Sequence, residues 1–126
     1  MSESNTTSPK NVDPAIIQGI NRFLIKVKEI VDENHKKNGF VFQADTFEPD
    51  YGRKYCRIWS CRFNGGKSSY AFIALVDHHS KEMGMVTAGE IFKPATYRAP
   101  AKHARGTIFQ EDFNKCISAY GITYLR

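Results

Sequence analysis

Acidic residues are missing from two long stretches of this 126-residue sequence. No Asp or Glu lies between residues 51 and 76 or between residues 91 and 110, although both stretches contain several Lys and Arg. Residues 51–105 carry ten Lys/Arg against three acids, whereas the rest of the chain carries eight against ten. Charge segregated in this way creates a surface potential suited to a polyanion. The alternative is a basic face that only keeps the protein soluble.

Cysteine is scarce, and its spacing argues against cross-links. The chain has three cysteines, Cys56, Cys61 and Cys116. Cys56 and Cys61 are five residues apart, so on one strand their side chains point to opposite faces. A disulfide framework or a zinc site of paired thiolates is therefore not expected. We interpret the cysteines as buried free thiols in a reducing compartment, and we predict no metal or other cofactor.

Long hydrophobic runs are also missing. The N-terminus lacks the apolar core of a signal peptide, and no run approaches the length that crosses a membrane. We therefore expect a cytoplasmic protein with no membrane partner. Residues 1–12 are rich in Ser, Thr and Asn and are expected to be a disordered tail. Residues 13–126 have the length of a single domain with a modest core.

The strongest local signal predicts a long helix near the N-terminus. Asp13 suits the N-cap, and Pro14 suits the first helical position. Apolar residues then recur at helical spacing: Ile16, Ile17, Ile20, Phe23, Leu24, Val27, Ile30 and Val31. The pair Asn38-Gly39 is typical of a helix end. The helix is therefore expected to end at about His35 or Lys37, before Asn38-Gly39, and to pack its apolar stripe on a core.

Strand patterns dominate the middle of the chain. The expected strands cover residues 40–44, 54–63, 69–76 and 85–92, separated by a turn-rich stretch over 48–52, a hairpin connection over 64–67 and a polar turn over 77–82. The strand over 69–76 is apolar on both faces, which predicts a central position in the sheet. His78 and His79 lie in the polar turn, where adjacent side chains diverge, so we interpret them as solvated rather than metal-binding.

A second, short helix is expected at the C-terminus. Thr107 and Gln110 match a capping box, and the apolar residues that follow recur at helical spacing as far as Gly121. The predicted fold is an α+β two-layer sandwich, with a three- to four-stranded antiparallel sheet between a long N-terminal and a short C-terminal helix. This order is similar in layout to the double-stranded-RNA-binding domain, but the lysine cluster that opens that family's last helix is absent.

The segment between the last strand and this helix is the leading candidate for function. Residues 93–106 carry four Lys/Arg, one His, two Pro and no acid. Because proline cannot donate a backbone hydrogen bond and favours extended geometry before it, the segment is predicted to be an extended, stiff arm. Cations spaced along such an arm can follow the phosphates of a nucleic acid strand, with Tyr97 stacking on a base.

We therefore predict a non-enzymatic nucleic-acid-binding protein without a catalytic residue. Its predicted binding residues are Arg53, Lys54, Arg57, Arg62, Lys67, Lys93, Tyr97, Arg98, Lys102, His103 and Arg105. Trp59 lies in the middle of a strand and is interpreted as a core residue rather than a stacking platform.

Two other functions fit parts of the pattern. The basic arm also suits a structural or interaction module that docks on an acidic protein surface. Asp77, Glu90 and Lys93 loosely resemble the set of a Mg²⁺-dependent nuclease. However, Glu90 and Lys93 are three residues apart, which places them on opposite faces of a regular strand and disfavours the nuclease.

Residues 89–106, GEIFKPATYRAPAKHARG, resemble a segment of small uncharacterised proteins of bacteriophages and other viruses. In those proteins a hairpin leads through a Lys-Pro-Ala-aromatic-basic segment to Pro-Ala-Lys and Arg-Gly. The strand over 69–77 fits the same pattern, whereas the connection over 78–87 is longer here. The resemblance implies a viral or phage origin and adds no catalytic residue.

Overall fold

A computed structural model describes residues 12–39, 44–62, 64–81, 83–96, 99–109, 117–118 and 121–122. Its elements are α1 (Pro14–Lys37), β1 (Thr46–Tyr51), β2 (Tyr55–Cys61), β3 (Lys67–Ala74), β4 (His78–Ser80), β5 (Gly84–Val86), β6 (Glu90–Pro94), β7 (Pro100–Thr107), β8 (Ile117–Ser118) and β9 (Gly121–Ile122). The expected tail before Val12 and most of the strand expected over 40–44 lie outside the described residues.

Helix α1 forms as its local signals predict. The Asp13 carboxylate accepts a hydrogen bond from the Ala15 backbone N–H at 2.9 Å, and Pro14 opens the helix. The helix ends at Lys37, followed by Asn38 as C-cap and by Gly39 at φ 66°. No helix in the described part of the chain is long and apolar enough to cross a membrane.

Five antiparallel strands form the main sheet, in the order β1-β2-β3-β6-β7. The central position predicted for β3 is confirmed. The hairpin connection between β2 and β3 is confirmed as well, with Gly65 at φ 94° donating to the Arg62 carbonyl at 3.0 Å. The turn expected over residues 48–52 is wrong, because strand β1 covers Thr46–Tyr51. This strand tolerates Pro49 because an edge strand does not need every backbone N–H for pairing.

The predicted fold class is wrong in its strand count and in its second helix. In the described residues the main sheet has five strands, and two further two-stranded sheets accompany it. Where the second helix was expected, Ile108 and Phe109 form a turn and Ile117–Ser118 form strand β8. Thr107 pairs with Glu90 as the last residue of β7, and its hydroxyl accepts from the Phe109 N–H at 3.3 Å. The hydroxyl that would cap a helix therefore closes a turn instead. The similarity in layout to the double-stranded-RNA-binding domain depended on the expected second helix and is therefore not supported.

The sheet has two different sides. On its inner side, α1 packs Ile20, Phe23 and Val27 against a cluster that includes Ile58 and Ile73. On its outer side, a smaller cluster contains Phe72, Ala74, Val86 and Phe92. Because β-strand side chains alternate, Arg57 and Tyr55 share the outer side with Phe72, while their neighbours Cys56 and Ile58 face α1.

A small hairpin, β4–β5, covers part of the outer side. The sequence predicted a polar turn followed by one strand over 85–92, but Gly89 at φ 95° separates β5 from β6. His78 is a hydrogen-bonded residue rather than a solvated one: its Nδ1 lies 2.9 Å from the Val76 carbonyl oxygen, and its Nε2 lies 3.1 Å from the Tyr55 hydroxyl. Since a carbonyl only accepts, Nδ1 of His78 donates to Val76; in that tautomer of the uncharged ring, Nε2 accepts from the Tyr55 hydroxyl.

Burial raises the pKa of two neighbouring groups on the inner side. The Cys56 thiol and the Tyr51 hydroxyl belong to paired residues of β2 and β1. Loss of solvent raises the pKa of each to about 12, and for Tyr51 the nearby Cys56 adds to the effect. Both groups are therefore more acidic in the unfolded chain, and they stabilise the fold fully only below their unfolded pKa values.

The free energy of unfolding is consequently expected to fall as the pH rises from about 9 towards 12. Urea midpoints measured at pH 8, 9, 10 and 11 check this. In Cys56→Ala the decline should be shallower than in the unmodified protein. Cys61→Ala is the comparison: burial also raises the pKa of Cys61, but this residue is only partly buried, so its replacement should change the decline less. An identical decline in all three proteins would contradict the assignment to Cys56.

Candidate nucleic-acid interface

Three of the predicted binding residues meet around one cavity on the outer side of the sheet. Its volume is about 220 Å³, and it is lined by Asp50, Gly52, Arg53, Lys54, Tyr55, Arg57 and Phe72. Arg53 and Lys54 belong to the exposed turn between β1 and β2, and Arg57 projects from β2. These three cations therefore line one cavity.

The Arg57 guanidinium lies close to two aromatic rings. Its central carbon lies 4.9 Å from the centroid of the Trp59 ring and 5.4 Å from that of the Phe72 ring. Its Nε atom is buried and has no hydrogen-bond partner among the described residues. A buried donor left without an acceptor costs about 1–3 kcal/mol. Trp59 is half-buried on this side of the sheet, so its interpretation as a core residue is wrong.

Two acids from outside the acid-free stretch enter this part of the surface. Strand β1 places Asp50 opposite Arg57 and Glu48 opposite Trp59. The Asp50 carboxylate accepts from the Trp59 Nε1–H at 3.3 Å, and Glu48 pairs with Lys67 at 3.4 Å. An exposed ion pair of this kind contributes about 0–1 kcal/mol to stability. It does, however, reduce the positive potential that the sequence alone predicts for this hairpin.

The predicted basic arm is a β-hairpin at the edge of the sheet. Strands β6 and β7 pair across it, from Glu90 with Thr107 to Pro94 with Pro100, and the Ala95 N–H bonds the Ala99 carbonyl at 2.9 Å. The prediction of extended geometry is correct. Pro100 lies in the edge strand β7, and Pro94 ends β6 beyond the residues that pair with β3, so the sheet accommodates both prolines. Lys93 and Arg105 are partly buried here. Tyr97, Arg98 and the side chains of Lys102 and His103 lie outside the described residues.

Strand directions divide the predicted binding residues into two groups. Because β2 and β6 are both antiparallel to β3, the turns that follow them lie at the same end of the sheet. We call this end, which comprises residues 62, 64–67, 93–96, 99 and 100, the basic end. Arg53 and Lys54 precede β2 and lie at the opposite end. Arg62 follows Lys54 by eight positions in the sequence, which corresponds to roughly 26 Å of extended strand.

The carboxylates that loosely suggested a nuclease bind backbone amides. Asp77 accepts from the Ala88 N–H at 2.7 Å, and Glu90 accepts from the Thr87 N–H at 2.8 Å. Both contacts hold the connection between β3 and β6. Among the residues that the structure describes, no group of three or more His, Cys, Asp or Glu side chains is placed to hold a metal ion.

Sequence reasoning missed Asp50 and Phe72 as parts of the cavity. Asp50 falls in the turn that the sequence predicts over residues 48–52, and Phe72 lies in a run that is apolar on both faces. Their positions follow from the register of β2, which pairs Arg57 with Asp50 on one side and with Phe72 on the other. No local signal specifies that register.

Comparison with known proteins gives one family. Residues 6–121 match a family described as being of unknown function, DUF7717. No curated protein and no solved structure matches the chain. Since the match covers most of the sequence, the chain belongs to the DUF7717 family of unknown function.

Proposed function

We propose that this protein binds nucleic acid without acting on it, and that the basic end of its sheet contacts the phosphates. The observation that carries the proposal is the position of the two turns, 62–66 and 95–99, at one end of the sheet. Each turn comes from an acid-free stretch of the sequence. Phosphate binding depends on cations in such a cluster rather than on one special side chain.

The chemistry of the edge hairpin supports the proposal. Residues 91–110 contain Lys93, Arg98, Lys102 and Arg105 and no acid. Strand β7 is an edge of the main sheet, so its outer backbone edge has no partner strand within that sheet. Arg62 adds an exposed cation at the same end, hydrogen-bonded to the Ser68 hydroxyl at 3.3 Å. In contrast, Lys67 is matched by Glu48 and is expected to contribute less.

Salt dependence is the first test. If about six cations contact phosphates, the logarithm of the affinity should fall with the logarithm of salt concentration, with a slope near −4 on single strands and −5 on duplexes. Fluorescence anisotropy on single- and double-stranded DNA and RNA, at several salt concentrations, measures it. An affinity that does not change with salt, or no binding at low salt, would contradict the proposal.

A charge-matched pair of variants locates the contact surface. Arg62→Gln/Arg98→Gln removes one positive charge at the basic end and one from the acid-free stretch 91–110, and Arg53→Gln/Lys54→Gln removes two at the opposite end. The first variant is expected to bind more weakly and to reduce the salt slope by about 1.4–1.8. The second should keep the slope of the unmodified protein. Equal losses in both variants would show that only net charge matters.

Two further assays, co-purification and strand cleavage, distinguish nucleic-acid binding from the other two roles. Co-purification with a stoichiometric acidic protein, in place of nucleic acid, would favour a docking module. Cleavage of labelled strands with Mg²⁺ that is lost in Glu90→Gln would favour the nuclease.

A cytoplasmic location and a viral or phage origin are parts of our proposal: the first is supported by free Cys56 and Cys61, and the second by the resemblance of residues 89–106.

A further inference from the structure

We propose that the cavity at the β1–β2 turn is a separate site, which binds a phosphate monoester that carries a neighbouring hydroxyl group. It lies at the opposite end of β2 from the basic end, so it does not depend on the nucleic-acid surface proposed above. The cavity has a volume of about 220 Å³, whereas one water occupies about 30 Å³ of the liquid. It therefore has room for more than a bare phosphate.

The Arg57 side chain is prepared for an oxyanion. Two aromatic rings have their centroids 4.9 and 5.4 Å from its guanidinium carbon, and these contacts stabilise the charge without a hydrogen-bond acceptor. A guanidinium presents its donors as a rigid fork that matches phosphate. One of them, Nε, is buried without a hydrogen-bond partner among the described residues. Nε itself has almost no exposed surface, so an acceptor in the cavity would reach the guanidinium through its other donors, or reach Nε after a shift of the side chain.

The other charged residues that line the cavity indicate which kind of anionic ligand it would bind. Arg53 and Lys54 add two exposed cations at the mouth of the cavity. Asp50 is the single acid of the lining, and it already accepts the Trp59 indole N–H. Its carboxylate has further lone pairs, which can accept from a hydroxyl but repel a second anionic group. This combination favours a phosphorylated sugar or a nucleotide over a dicarboxylate.

Two measurements report on the site directly. Trp59 is the only tryptophan of the chain, and its ring contacts Arg57, so indole fluorescence follows occupancy. The Arg57 Nε–H gives an NMR cross-peak that reports on its own hydrogen bond. The titrants are inorganic phosphate, adenosine 5′-monophosphate, ribose 5-phosphate and adenosine. Oligothymidylate with and without a 5′-phosphate distinguishes a free small ligand from the end of a strand.

We expect the Arg57 Nε–H signal and the Trp59 fluorescence to respond to both phosphate monoesters and not to adenosine. Arg53→Gln/Lys54→Gln, in an exposed turn, should fold normally and weaken binding about tenfold or more. Arg57→Lys keeps the charge but loses the fork and should also weaken it, while Arg62→Gln at the basic end should bind as the unmodified protein does.

Three outcomes would overturn this inference. They are a response to adenosine as strong as that to its monophosphate, unchanged binding in Arg53→Gln/Lys54→Gln, and an Arg57 Nε–H signal that stays constant at saturating phosphate. None of them affects the nucleic-acid proposal, which is tested by Arg62→Gln/Arg98→Gln. Conversely, loss of the salt-dependent binding would leave the phosphate titrations unchanged.

Discussion

Replacing Phe23 with alanine is expected to lower the free energy of unfolding by about 3–5 kcal/mol. Phe23 is fully buried, and its ring meets Tyr70 edge-to-face, with centroids 6.4 Å apart. Truncation removes the transfer free energy of the ring and leaves a cavity between α1 and the sheet. A domain of this size has a total stability of about 5–15 kcal/mol, so this is the most damaging single change that we predict.

Ile25 provides the matched control for this prediction. It lies on the same helix, two residues from Phe23, but 62% of it is exposed. Ile25→Ala should change the stability by no more than about 0.5 kcal/mol. Urea denaturation followed by far-UV circular dichroism measures both variants. Comparable losses at Phe23 and Ile25 would mean that α1 does not pack on the sheet through the stripe described above.

Replacing Gly89 with alanine is expected to destabilise the protein by about 2–4 kcal/mol. Gly89 has φ 95°, which L-residues with a side chain rarely adopt. A Cβ atom here would also lie 2.6 Å from the Phe109 ring and 3.3 Å from Ile108. The backbone has little freedom to move away, since its N–H bonds Ala74 at 2.8 Å and its carbonyl accepts from Ile108 at 2.9 Å.

Gly65→Ala separates the two causes. Gly65 has nearly the same φ, 94°, but an added Cβ would meet no atom within 4 Å. Its replacement should therefore cost only the backbone strain, about 1–2 kcal/mol. The double variant Gly89→Ala/Phe109→Ala should lose less stability through the steric contact at residue 89 than Gly89→Ala does, because it lacks the ring closest to the added Cβ atom. Urea midpoints of the four proteins test this, and equal losses for Gly65→Ala and Gly89→Ala would show that the steric contact is unimportant.

Helix α1 and the β2–β3 hairpin were predictable because short-range interactions specify them. Asp13, Pro14 and the apolar repeat determine where α1 begins and which face is buried, and all of these lie within the helix or beside it. Asn64 and Gly65 likewise form a turn from their own conformational preferences. In such segments, the local signal and the tertiary structure agree.

The C-terminal part was not predictable in this way. Thr107 and Gln110 fit a capping box, yet Thr107 ends a strand because it pairs with Glu90, seventeen residues earlier in the chain. Pairing with β6 lets β7 extend the sheet, and that gain depends on a partner which the local pattern does not include. The error at residues 48–52 has the same origin, since β1 exists only by pairing with β2.

By itself, the sequence determined the long helix, the central strand β3 and the uneven distribution of charge, because composition and short-range spacing decide those properties. Only the tertiary structure decided which charges are neighbours. The strand register placed Asp50 and Glu48 beside the cations of β2 and β3, and it brought Arg57 close to Trp59 and Phe72. The strand directions separated Arg53 and Lys54 from the basic end. Those contacts join residues of different strands, so no pattern within one strand could reveal them.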